Sequence, residues 1–191
     1  MLRPLPLRLE ALAAFPPLDE PADTGETFAE NARQKARYYA RATGCWCLAD
    51  DSGLAVDALG GAPGVRSARY AAERFGPDAD RPARDAANTA KLLEAMRDVP
   101  DERRTARFVC HFALADPDRV LLDTGGQVEG IITRRPRGTN GFGYDPVFHV
   151  PSHGKTAAEM PPEEKNAISH RGRAARRFAE QLAAFLQEAG T

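Results

Sequence analysis

Residues Arg107 to Ala115 alternate, with Phe108, Cys110, Phe112 and Leu114 on one side of an extended backbone. A period of two over that length cannot be a helical stripe, which repeats every ~3.6 residues. This segment therefore commits the chain to a sheet. Val120 to Asp123 and Gln127 to Thr133 read as an antiparallel pair joined through Gly125-Gly126. Such hairpins argue against a purely parallel sheet. Further strand-like runs are Cys45 to Ala49, Leu54 to Leu59, Val147 to Val150 and a short Leu7 to Ala13.

The helices interleave with these runs. Thr27-Phe28-Ala29-Glu30 forms a capping box, opening a helix that runs to about Thr43 with Gly44 as its stop. Projected at ~100° per residue, Phe28, Ala32, Ala36 and Tyr39 make the inner stripe, while Glu30, Arg33 and Arg37 face outward. Asn31 and Lys35 fall beside the stripe, where a lysine either snorkels or serves a buried anion; the acids and the glycine-rich loop below favour the anion. Ala83 to Met96 is a second helix, and Ala174, Phe178, Leu182 and Phe185 mark a terminal one starting near Ser169. Pro16-Pro17 and Pro21 read as a stiff linker, and Gly60 to Gly64 as a tight loop. The fold class expected is mixed α/β, one domain over residues 1–191.

Composition removes several functions. The net charge is −1, so no global field draws nucleic acid, and the arginine-rich spots are local. No apolar run reaches the ~18 residues of a membrane span, and no signal pattern opens the chain. Three cysteines fit a reducing compartment, the cytoplasm, better than a disulfide framework. Cys45-Trp46-Cys47 follows strand alternation and offers too few ligands for zinc.

Three motifs carry chemistry. Asp50-Asp51-Ser52-Gly53 reads as an acidic turn leaving a strand, suited to a divalent metal and a steered water. Successive side chains point to opposite sides, so one aspartate faces the ligand, and Asp51 is assigned as metal ligand and proton acceptor. Ser52 offers donors, Gly53 permits close approach of a phosphate, and Lys35 adds a point charge. In Gly138 to Asp145, Phe142 and Tyr144 alternate with glycines, either exposing rings for stacking a base or returning them to the core. Asp145 is either a turn residue or an acceptor for base or ribose. Lys165, His170 and Arg171 form a cationic wall, and Arg171, a pure donor, favours a purine with a keto oxygen at position 6. Together they suggest a metal-dependent enzyme acting on the phosphates of a nucleotide.

Five ordered segments carry a resemblance: TGETFAENARQKA (Thr24 to Ala36), LADDSGLAVDALGGAPGVRSARYA (Leu48 to Ala71), GTNGFGYDPVF (Gly138 to Phe148), GKTAAEM (Gly154 to Met160) and EEKNAISHRGRA (Glu163 to Ala174). Through them the chain resembles the non-canonical purine NTP pyrophosphatases, the inosine or xanthosine triphosphate pyrophosphatase family. The resemblance implies an elongated α/β fold with two lobes and a central cleft, and hydrolysis of ITP, dITP and XTP to monophosphate and pyrophosphate. It also implies Mg2+ and a homodimer. By position, Asp51 matches the proton acceptor and metal ligand, Lys35 a lysine of the phosphate site, and Ser52, Phe142, Gly143, Tyr144, Asp145, Lys165, His170 and Arg171 the substrate contacts. The family's N-terminal strand, phosphate loop and first helix have no counterpart in Met1 to Pro21, and Ala22 falls at its second acidic position. A chain truncated in this way has an alternative role, a nucleotide-binding or dimerisation module with little turnover.

Overall fold

The computed structural model describes residues 7–189. Helix α1 spans Phe28–Thr43; Thr27 Oγ1 accepts from Glu30 N (3.1 Å), and the Glu30 carboxylate accepts from Thr27 N (3.1 Å). The helix stops at Gly44, whose φ of 69° lies in the left-handed region glycine tolerates. Its buried stripe is Asn31, Ala32, Ala36 and Ala40, narrower than expected, because Phe28 and Tyr39 stay half-buried at the margins.

Strand β1 is Cys47–Val56, β2 Thr105–Ala115, β3 Val120–Ile132, β4 Phe148–Val150 and β5 Lys155–Thr156. They form one sheet in the order β1-β2-β3-β4-β5, antiparallel at every pairing, so among the described residues the sheet is α/β in company but not mixed in direction. Helix α2 is Arg81–Ala95, α3 Pro162–Ile168 and α4 His170–Ala189. α1 lies on one face of the sheet, its alanines against Ala113 and Ala115. α4 lies on the other, with Phe178 and Leu182 against Leu114. Beyond them Leu54, Phe108, Ile132 and Phe148 join Leu92 of α2 and Met96 in the largest core. No described helix is long and apolar enough to cross a membrane.

Three expected features differ. The acidic pair is not a turn: β1 pairs with β2 without interruption from Cys47↔Ala115 to Val56↔Ala106, leaving Asp50 and Asp51 in mid-strand. A carboxylate there survives because each face of the strand supplies a cation, as described below. Gly125-Gly126 is not a turn either, since β3 runs straight through it. The glycine answers a different need: a Cβ at Gly126 would stand 2.4 Å from the carbonyl oxygen of His170, so the first turn of α4 lies directly on the strand. Finally, Leu7 to Ala13 is not a strand; the only regular element there is a 3-10 turn, Leu12–Ala14.

Candidate active site

On the α1 face, Lys35 Nζ stands 2.9 Å from Asp51 Oδ1 and 2.8 Å from Asp23 Oδ1. Asn31, one helical turn before Lys35 and wholly buried, donates to Asp51 Oδ2 (3.3 Å) and accepts from Gly25 N (2.8 Å). Arg69 Nη1 reaches Asp23 Oδ2 at 2.9 Å. Burial is the largest influence on Asp51 and pushes its carboxyl above the usual range, with Lys35 and Asn31 only partly offsetting it. At Asp23 burial acts the same way, but the bonds from Lys35 and Arg69 outweigh it and hold that carboxyl low. Burial opposes the charge on Lys35; its two carboxylate partners prevail and raise it. Asp23 was legible only as a neighbour of Ala22, the position thought to carry the second acid; the structure puts Asp23 itself across the lysine from Asp51.

Among the described residues no group of three or more His, Cys, Asp or Glu converges on a metal position. Asp51 and Asp23 are oxygen donors of the kind a hard divalent cation takes one or two at a time, and Lys35 is the positive charge that stands between them here.

Asp50 points to the opposite face. Its Oδ2 accepts from Arg171 Nη2 (2.8 Å), Arg171 Nε (3.2 Å) and Ser52 Oγ (3.0 Å). Arg171 is the second residue of α4, a helix capped by Ser169 Oγ accepting from Gly172 N (3.1 Å).

A cavity of about 480 Å³ opens beside this pair. Its walls hold every residue expected to touch substrate: Ser52, Phe142, Gly143, Tyr144, Asp145, Lys165, His170 and Arg171. Their roles divide. Phe142 is 46% exposed, with Lys165 Nζ 4.9 Å and Arg81 Cζ 4.2 Å from its ring centre. Tyr144 is only 4% exposed and its hydroxyl donates to Ser67 O (2.8 Å), so this ring returned to the core instead of offering a free face. Asp145 is buried and acts as a turn anchor, accepting from Phe142 N (2.7 Å) and Lys165 Nζ. Gly141 makes room for it, since a Cβ there would lie 2.1 Å from Asp145 Oδ2.

His170 stacks on Phe108, ring centres 4.9 Å apart and 19° between planes. Burial first, then the charges of Arg171 and Lys165, push its imidazole down to about 4, so it is neutral near pH 7. Its Nδ1 is buried with no protein partner. Asp85, unnoticed in the sequence, accepts from Gly143 N at 2.8 Å and ties α2 to the aromatic loop. Nothing in a solitary aspartate inside a helix signals that contact.

Asp51 and Lys35 do not line this cavity. Lys35 lines another, of about 770 Å³, along the free edge of β1 together with Asp50. β1 thus gives Asp50 to one cavity, Ser52 and Gly53 to the other, and carries Asp51 between them.

An acid pair around a lysine, next to a cavity with one open ring and one neutral imidazole, has the chemistry to hold a ligand with an anionic end and a planar end. The sequence profile of the Ham1 family matches residues 1–181, and the chain belongs to that family. The expectation that N-terminal elements are missing is not borne out by this match. The chain is 53% identical to the dITP/XTP pyrophosphatase of Shigella flexneri over 167 residues, 86% of this chain and 81% of that protein. It is 51% identical to the dITP/XTP pyrophosphatase of Geobacter sulfurreducens over 170 residues, covering 89% and 81%. Its fold is similar to that of a Ham1 protein from Coxiella burnetii, with a TM-score of 0.77 and 48% identity over 87% of this chain and 81% of that one.

Proposed function

We propose that this chain hydrolyses deaminated purine nucleoside triphosphates, ITP, dITP and XTP, to the monophosphate and pyrophosphate, clearing them from the nucleotide pool. One observation carries the reading: residues drawn from β1, the aromatic loop, α3 and α4 line a single cavity with purine-binding chemistry, and Asp51 lies one residue outside it on β1. The names of the relatives agree with it.

The products require cleavage between the α-phosphorus and the oxygen bridging to the β-phosphate. Asp51, its basicity raised by burial, accepts the proton of the attacking water. Asn31 fixes the orientation of that carboxylate, and Lys35 sets positive charge against the phosphates. Asp51 and Asp23 would hold a divalent cation, Mg2+ in this reading, which when bound supplies charge neutralisation for phosphate oxygens. Phe142 offers the face on which the base stacks. Neutral His170 lines the cavity as an uncharged ring, and Arg171 supplies donors that pair with a 6-keto oxygen and not with the amine of adenine.

The alternative of a binding module with little turnover is not favoured, since relatives named dITP/XTP pyrophosphatase match most of the chain at 53% and 51% identity. Pyrophosphate release with ITP, dITP and XTP against ATP and GTP tests the proposal. Faster release from the first three is expected; guanine shares the 6-keto oxygen, so the ATP arm is the one that tests Arg171, and equal rates on ITP and ATP would defeat its selective role.

A further inference from the structure

The first aspartate of the acidic pair has no part in the chemistry above, yet it is tightly engaged. We propose that Asp50 is a positioning residue for base selection: it aims the guanidinium of Arg171 across the cavity. This rests on the substrate reading just given.

The geometry follows from strand alternation. Asp51 turns to α1, so Asp50 and Ser52 turn to α4, where Arg171 waits on the first turn. Asp50 Oδ2 takes both Nε (3.2 Å) and Nη2 (2.8 Å) of Arg171, and Ser52 Oγ closes the triangle at 3.0 Å from Asp50 and 3.4 Å from Arg171. A guanidinium is a rigid planar fork, so fixing Nε and Nη2 fixes the whole plane. Nη1 carries the donors this pairing does not use.

A purely structural role explains less. Arg171 is 47% exposed at its side chain and Asp50 32%, and such pairs contribute little to stability. Nor does α4 need this tether. Gly126 lets its first turn touch β3, Phe178 and Leu182 bury its face, and Arg173 and Arg177 donate to Gln127 O and Gly125 O, each at 3.0 Å. What the pair does uniquely is hold one donor plane in a cavity wall, and a desolvated donor discriminates only when it cannot swing to another acceptor.

Asp50→Asn keeps one acceptor oxygen but loses the charge that holds the fork. The ratio of kcat/KM for ITP over ATP should fall about tenfold, mainly through a higher KM for ITP. Arg171→Lys, which keeps charge and loses the plane, should lower the same ratio. Combining both should lower it no further than either alone, as expected for residues acting as a unit. Asp50→Glu should recover part of the ratio; if the Asn protein does not fold, Asp50→Glu and Arg171→Lys decide the matter. Equal loss on ITP and ATP, or additive losses in the double variant, would show a structural tether and overturn the inference. Wild-type protein without preference among the nucleotides would instead refute the substrate reading, which is a separate outcome.

Discussion

The two faces of β1 solve opposite problems. Toward α1, Asp51 sits in a network of charge: Lys35 between two carboxylates, Asn31 behind, Arg69 outside. Toward α4 and the aromatic loop, the surroundings are rings and a neutral imidazole, with charge held in the ion pairs Asp50–Arg171, Lys165–Asp145 and Arg81–Asp85. The first face suits an anionic, reacting end of a ligand; the second suits a flat end that must be recognised. Neighbouring residues can serve both because a strand sends them apart. If the contrast is right, variants on the α1 face should act on turnover and variants on the other on recognition.

The strongest break of that division is Asp51→Asn. It should lower turnover about a thousandfold, the upper range for losing one preorganised group, with thermal unfolding little changed. Near-normal turnover would remove Asp51 from catalysis.

Next comes the imidazole. His170 has a folded value of about 4 against 6.5 unfolded. Between these values the unfolded chain binds the proton and the folded chain does not, so stability rises with pH across that window and is lost on acidification through it. The loss reaches about 3 kcal/mol once the pH is below both values. His170→Gln should flatten the slope in urea unfolding measured from pH 7 to pH 4. An unchanged slope would show that the imidazole is not held neutral by its surroundings.

Phe142→Ala should weaken inosine monophosphate binding by about 2 kcal/mol, near thirtyfold, the usual value of one stacked base. It should spare pyrophosphate binding, which an isothermal titration separates. Lys35→Met should have the smallest effect, about tenfold weaker triphosphate binding and less change for the monophosphate. Equal weakening of both would contradict its placement at the phosphates.

Much of this was legible because the governing signals are local. The capping box of Thr27 and Glu30, the alternation of β2 and the inner stripe of α4 each express a periodicity inside one element. The alternation rule sent the two aspartates to opposite sides, as the structure has them, although the pair was read as a turn. What escaped notice depends on partners far along the chain. Gly125-Gly126 looks like a hairpin until α4 is laid on it. Tyr144 looks like a twin of Phe142 until Ser67 accepts its hydroxyl. Asp23 gains meaning only from Lys35 and Arg69, and Asp85 only from Gly143. A ring between two glycines is equally free to turn outward or inward, and packing, not composition, chooses.

The division of labour can be measured in one protein. Asp51→Asn, titrated with ITP and separately with ATP, should bind ITP with the same preference over ATP as the wild-type chain shows, while releasing pyrophosphate about a thousandfold more slowly. If the preference disappears together with the turnover, the two faces of β1 are not separate in function and the account is wrong.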